Sequence, residues 1–459
     1  MKKQLISGIL LTAMAVTTFA GCGSSKGTTT SSKKGSGSVY LLNFKPENDS
    51  EWQKVAKQYT KEKGVEVKVL TAASGKYDST LKSEMAKKNA PTIFNIGNAT
   101  AAKTWDKYTL DLSTIDAYKH LTDQSLAIKC NDKVAAIPNT FETFGLIYNK
   151  TILTAYTKLP NAVVSSVDDI KDQATLIKVT DDIQKRIDEL KKQKGCENLT
   201  EAFASAGLDD GSSWRFSGHL VNLPLYYEFK DDGLTDITAG QAEVTGKYLD
   251  NYKTIWDAYV RDSAADSKTL DSGSLNAESE FGTGQAVFYQ NGSWEYDPLI
   301  TKADENGYTL KESDVSMMPI YFGVDDANQG LCSGTENCWA VNSQASKADQ
   351  KASIDFINWL ITDDEGKKDM NTLGLAAPYD TMTGDYESSN PFLKAANKYI
   401  SDGKTNIQWA FNATPNVDDW RKGFVSALTA YTNGSGTWDA VKDAFVNGWS
   451  EQWKLAHAE

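Results

Sequence analysis

Apolar positions along this chain recur with two periods, and the switches between them predict the elements. Val39–Phe44 alternates as a strand, and Asn48, Asp49 and Ser50 then offer N-cap side chains to a helix carrying Trp52, Val55, Ala56 and Tyr59 on one face. Gly64 stops that helix, and Val65–Leu70 is a second strand. Tyr77–Lys88 reads as a helix with Leu81 and Met85 inward, Pro91 breaks it, and Thr92–Ile96 is a third strand. Strand, helix, strand, helix, strand predicts βαβαβ with a parallel sheet. Ala135–Pro138 and Phe144–Tyr148 add two short extended runs.

A second region opens near Lys150. It holds an expected helix Asp181–Lys194, a Trp/Tyr-rich passage Trp214–Phe229, an expected helix Gln241–Arg261 and an extended run Val315–Ile320. Helices follow at Lys347–Thr362, Lys367–Gly374, Val417–Thr432 and Thr437–Lys454. Trp52, Trp359, Trp449 and Trp453 fall at helical spacing among apolar neighbours, so they read as core. No internal repeat is apparent.

The first segment sets the compartment. Lys2 and Lys3 precede the uncharged apolar run Leu5–Phe19, the n- and h-regions of a secretory signal, and the run is shorter than a bilayer span. It ends in Phe19-Ala20-Gly21-Cys22, which resembles a bacterial lipobox with Phe where Leu is usual. Residues 1–21 are thus expected to be a lipoprotein signal peptide, with Cys22 lipidated as with palmitate. A Gly/Ser/Thr/Lys tract through residue 38 has the composition of a flexible tether. The plainer reading makes Cys22 an ordinary cysteine beside a secretory cleavage site.

At 459 residues the chain exceeds what one core supports, so two domains are expected. Net charge is −13; the first 38 residues hold five lysines and no acid, so the remainder carries −18. Such a body lacks the basic stripes that phosphate backbones require, which excludes nucleic acid as a partner. The 12 Trp, 20 Tyr and 16 Phe stand against three His, a composition poor in metal ligands and in His-based catalysis. No metal and no cofactor are expected.

Catalytic templates mostly fail. HExxH, the phosphate-binding GxxxxGK[ST] and CxxC are missing. Gly23-Ser24-Ser25-Lys26-Gly27 matches GxSxG only inside the tether, where no strand-turn-helix strains the serine. Carboxylate pairs such as Asp209/Asp210 and Asp418/Asp419 are what an acidic surface gives by chance. Of the cysteines beyond Cys22, Cys332 and Cys338 are near enough in sequence for a disulfide, while Cys130 and Cys196 are not paired on sequence grounds; free buried thiols are the alternative.

The aromatic clusters are more informative. Trp294 follows a glycine turn in Asn291-Gly292-Ser293-Trp294-Glu295, Trp214 and Arg215 open a passage ending in His219, and Trp409 and Trp420 lie beside polar turn residues. Rings next to amide, carboxylate and guanidinium groups suit sugars, whose C–H faces stack while their hydroxyls demand polar partners. The competing reading of each ring is core packing.

Taken with the lipobox, AIPNTFETFGLIYNK (Ala136–Lys150), QAVFYQNGSWE (Gln285–Glu295) and AVNSQASKADQKASIDFINWLITDDEGKKDM (Ala340–Met370) resemble the extracellular solute-binding lipoproteins of ABC importers, in the oligosaccharide-binding group that includes maltose-binding protein. The resemblance implies an α/β, two-lobed periplasmic-binding-protein-like fold of type II, with mixed sheets flanked by helices and lobes joined by crossing hinge segments. Carried over, residues 39–145 plus 318–377 form lobe 1 and 146–317 plus 378–459 form lobe 2. The crossings fall near Phe144–Ile147, Ser316–Pro319 and Ala376–Tyr379.

The resemblance also implies site residues. Glu142 matches the cleft carboxylate before the first crossing, and Trp294 and Trp420 match the two stacking tryptophans. Trp214 and Arg215 match an aromatic-polar sugar contact; Lys45, Glu47 and Asn98 follow the first and third strands at polar contact positions. Tyr77 is placed there by its loop and Trp409 by its polar neighbours. The chain departs from the family in carrying Asn95 and Asn98 where a first-lobe aromatic is usual, and WRFSGHLVNLPLYYE resembles a subgroup handling other oligosaccharides. The function implied is that of a monomeric, non-enzymatic receptor. It is lipid-anchored on the extracytoplasmic face of the cell membrane and delivers a sugar to permease subunits. A lipid-anchored glycoside hydrolase, or the same fold holding a polyamine or other small solute, are the alternatives.

Overall fold

The computed structural model describes residues 37–73 and 76–457. The expected signal peptide, Cys22 and most of the expected tether lie outside the described residues. Two sheets carry the chain. The first has the order β11-β3-β1-β2, formed by β1 (Ser38–Asn43), β2 (Glu66–Thr71), β3 (Ile93–Ile96) and β11 (Cys338–Val341). β1 pairs in parallel with β2 and β3, as the βαβαβ pattern predicts, and β11 adds an antiparallel edge. Alternate residues enter separate cores: Val39, Leu41, Ile93 and Val341 on one face, Leu42, Phe94, Ile96 and Ala340 on the other. Both faces are covered, as parallel strands require.

β4 (Ile128–Cys130) and β5 (Lys133–Ala136) form a small hairpin, after which the chain enters β6 (Glu142–Asn149). β6 is the spine of the second sheet, ordered β12-β10-β6-β8-β7, with β7 (Glu201–Phe203), β8 (Ala286–Gly292), β10 (Gln329–Gly334) and β12 (Thr405–Ile407). β9 (Val315–Met318) pairs with residues 146–149 of β6, while β10 pairs with residues 142–144 on the same edge. Gly145 sits where the two meet, and a Cβ there would fall 2.5 Å from the Met318 carbonyl. The mixed sheets flanked by helices make a two-lobed α/β fold.

The expected crossings are displaced. β6 pairs with second-lobe strands from Glu142 onward, so the first passage is residues 138–141, not Phe144–Ile147. Ser316–Pro319 lies largely within β9, wholly paired to β6; the chain instead changes sheets at residues 335–337, between β10 and β11. Ile320, Tyr321, Phe322 and Leu331 accordingly pack in the same core as residues of β6 and β8. Tyr379 still donates its hydroxyl to the Pro138 carbonyl, whereas Asn390 donates to the Ser293 carbonyl, so the third passage falls after Tyr379.

That second passage also separates Cys332 from Cys338. One pairs with Phe144 in the second sheet, the other with Ile96 in the first, and all four described cysteines are free and buried. Six extended residues span up to ~20 Å, against the 4.4–6.8 Å Cα separation a disulfide needs. The expected bridge does not form.

Two helix starts also moved. The helix expected from Gln241 begins at Leu249, because Gly246 takes φ +69° and the Gly246 and Lys247 amides donate to the Glu228 carboxylate. The one expected from Asp181 begins at Gln173, where the Asp172 carboxylate accepts from Thr175 N at 2.7 Å. Trp52, Trp359 and Trp449 are core, and Trp453 is half-buried.

Candidate functional site

The ends of β1 and β3 in the first lobe face the ends of β6 and β8 in the second. Lys45, just past β1, is buried and donates to Glu142 Oε1 at 2.8 Å, with Glu47 Oε1 at 3.4 Å. Burial alone would lower the Lys45 pKa, but Glu142 and Glu47 together raise it, so the ammonium is firmly charged. Its Nζ also stands 5.8 Å from the Trp294 ring, within cation–π range. One lysine past the end of β1 thus reaches both Glu142 at the start of β6 and Trp294 beyond β8.

Trp294 is held by its backbone. β8 ends at Gly292, and Ser293–Glu295 make a single 3₁₀ turn, so the ring folds back over Gly292. Trp214 lies 6.0 Å from it, donating its indole N–H to the Gly211 carbonyl at 2.9 Å. The Arg215 guanidinium stacks on Trp214 at 4.2 Å and donates to the Tyr289 hydroxyl at 3.3 Å. Both rings are half-buried, as a binding platform requires. A π-helical turn follows each anchor, at Arg215–Leu220 and Asp297–Thr301; such turns concentrate at functional sites.

Several polar groups around these rings lack partners among the described residues. They are Arg215 Nε, His219 Nδ1, Glu295 Oε2, Trp409 Nε1 and Arg421 Nε. Burial pushes the Glu295 carboxyl up to about 8 against the pull of Arg215. Glu336, on the second crossing, is raised by burial and by Glu142, with Lys45 opposing. Buried polar atoms are normally bonded, so a concentration of unbonded ones marks where an external polar molecule or water belongs.

Of the ten sequence-derived residues, Lys45, Glu142, Trp214, Arg215 and Trp294 converge, with Glu47 exposed at the rim. Asn98 caps the helix Ala99–Thr104 and donates to the Asn412 carbonyl at 2.6 Å, a bond between lobes. Trp409 is 1% exposed and packs on Gly334 and Phe144 as backing for the wall. Two expectations are corrected. Tyr77 is buried, accepting from Asn95 N at 2.6 Å and donating to the Leu42 carbonyl, so it braces strands. Trp420 is 1% exposed, stacked on Phe424 and edge-on to Phe445 and Trp449, with its N–H given to the Phe445 carbonyl. Its polar flanking residues suggested a surface ring, but the last helix, Trp438–Ala456, covers it.

His219, Glu295, Glu336 and Arg421 join the site unannounced. Only the first two had a sequence signal, lying in the same short motifs as Trp214 and Trp294. A separate cavity of about 1040 Å³ opens between residues of both lobes beyond Trp409, lined by Asn98, Phe141, Thr335, Tyr379 and Asn412 among others. It contains none of the Lys45–Trp294 cluster. Among the described residues no group of three or more His, Cys, Asp or Glu is placed to hold a metal ion, and no helix is long and apolar enough to cross a membrane.

Comparison with known proteins gives a family. The sequence model of a family described as "Bacterial extracellular solute-binding protein" matches residues 54–391. No curated protein sequence matches the chain. Among solved structures, a chitin oligosaccharide binding protein is similar with a TM-score of 0.64 at 16% identity, over 91% of this chain and 98% of that one. The GacH receptor of Streptomyces glaucescens, solved unliganded and with acarbose, gives 0.64 at 16% over 91% and 99%. The maltose/maltodextrin-binding domain MalE of Bdellovibrio bacteriovorus, bound to maltotriose, gives 0.62 at 14% over 92% and 99%. At such identities the likeness is one of fold: these are type II periplasmic solute-binding structures.

Proposed function

The chain belongs to the bacterial extracellular solute-binding protein family, and from that premise we propose that it is a receptor for an oligosaccharide. The sugar is held between the lobes at Lys45, Glu142, Trp214, Arg215 and Trp294. The observation carrying this reading is the ring pair Trp214–Trp294, 6.0 Å apart, beside the lobe-bridging Lys45–Glu142 ion pair. Rings offer a stacking face; the charged and unbonded groups around them offer hydroxyl partners. The chitin oligosaccharide, acarbose and maltotriose that similar proteins bind support the same class.

In this reading the lobes are residues 39–141 with 338–379, and residues 142–334 with 390–457, closing by hinge motion about the three passages. Burying one ring is worth ~1.5–3 kcal/mol and a hydrogen bond to a charged group ~1.5–3. Two rings and a few such bonds, less association costs, give affinity on the order of −8 kcal/mol, low micromolar. The ligand must favour the closed form over the open one if an ABC importer permease is to recognise occupancy. Lipidation at Cys22 would tether the receptor to the extracytoplasmic membrane face.

A thermal-shift panel of oligosaccharides, monosaccharides and polyamines tests the reading. A ligand at 100 times its dissociation constant adds ~2.7 kcal/mol of stability, and the expected responder is an oligosaccharide. A response to amines alone overturns the sugar assignment, and release of reducing sugar on incubation overturns the receptor in favour of a hydrolase.

A further inference from the structure

His219 occupies the centre of the aromatic wall. Its imidazole stacks on Phe144 at 4.1 Å and 8°, with Trp214 at 4.9 Å, Trp294 at 5.3 Å and Phe411 at 5.6 Å around it. The residue is 6% exposed, and Nδ1 has no hydrogen-bond partner among the described residues. Every ring touching it contributes an aromatic surface, so a phenylalanine would complete this wall without stranding a nitrogen. The histidine therefore carries a free-energy penalty that no contact within the described chain offsets.

The backbone is shaped to bring it there. Trp214 and His219 are five residues apart, which on an α-helix places them roughly 140° apart around the axis. The π-helical turn Arg215–Leu220, bonded i→i+5, brings the two rings into edge contact on one side instead. Burial, with Arg215, Arg421 and Lys45 nearby, holds the imidazole pKa far below its ordinary value, so the ring is neutral. A neutral imidazole has one donor and one acceptor nitrogen, complementary to a hydroxyl, which can both accept and donate.

We infer that His219 is a specificity-determining residue of the cleft, reading one hydroxyl of the bound sugar from within the aromatic wall. This rests on the oligosaccharide reading above and extends it by giving His219, which the sequence placed in the Trp214 motif without a role, a polar contact of its own.

The test uses calorimetry on the wild type, His219→Phe and His219→Gln with an oligosaccharide that stabilises the wild type, plus its monodeoxy analogues. His219→Phe keeps the stack and removes both nitrogens. It should weaken binding at least tenfold while the unliganded melting temperature holds or rises. His219→Gln should recover part of the affinity. One deoxy position should matter to the wild type and not to His219→Phe, the signature of a direct contact in a double-mutant cycle. Binding by His219→Phe within twofold of wild type, or unchanged deoxy discrimination, overturns the assignment; should His219→Phe not fold, His219→Leu, which also lacks both nitrogens, is held to the same criteria. A wild type that no sugar stabilises removes the receptor reading itself, and the assignment with it.

Discussion

Gly292→Ala is the most economical test of the stacking platform, because it alters neither charge nor any hydrogen-bonding group. Gly292 has φ −125° and ψ −175°, extended backbone that alanine adopts freely, so no conformational strain enters. An added Cβ would lie 2.2 Å from two ring atoms of Trp294. Ordinary carbon–carbon contact is about 3.5–4.0 Å, so the ring must move by roughly 1.5 Å. The ring is half-buried, and it can shift outward only by leaving Lys45 and Trp214. Losing a stacked ring surface removes ~1.5–3 kcal/mol of binding, a tenfold to hundredfold rise in dissociation constant. The fold should survive, with destabilisation at or below the ~1–3 kcal/mol typical of overpacking. Calorimetry with the responding sugar, beside a urea melt of the unliganded protein, gives both readouts. Unchanged affinity in a folded Gly292→Ala protein would refute the reasoning, since the ring would have moved without consequence.

Trp420→Ala should behave oppositely: it removes a fully packed ring, costing ~3–5 kcal/mol in a urea melt, whereas Trp420→Phe keeps sugar affinity within about threefold. Glu295→Gln tests the buried carboxyl. With its folded pKa pushed up to about 8, above the unfolded value, Glu295 contributes stability that is full below the unfolded pKa and lost as pH rises through about 8. The glutamine variant should therefore show a shallower fall in urea midpoint from pH 5 to 8; an identical slope would mean the group is ionised throughout. Thiol titration in denaturant without reductant should count Cys130, Cys196, Cys332 and Cys338 as free, and reductant should leave the melting temperature unchanged.

What the sequence determined by itself was local. The opening βαβαβ pattern, the stop of its first helix at Gly64 and the burial of Trp52, Trp359 and Trp449 are all set locally, because a residue's side of a helix or strand is fixed by its near neighbours in the chain. The cap expected from Asn48, Asp49 and Ser50 makes no side-chain capping bond, and the second helix ends at Met85, ahead of Pro91. Trp294 and Trp214 were legible as candidate rings for the same reason: each sits by a glycine or polar turn off any apolar stripe. Tertiary structure alone decided the rest. Trp420 looks exposed beside Asp418 and Asp419 until the helix Trp438–Ala456 closes over it, and Cys332 and Cys338 look adjacent until the chain changes sheets between them. Lys45 and Glu142, 97 positions apart, meet only because two sheets end at one cleft. Helix and strand preference is written in neighbours a few residues away, whereas a binding site is made by strand ends whose pairing partners lie far along the chain. Composition and spacing could therefore nominate its rings, but only packing could say which of them face one another.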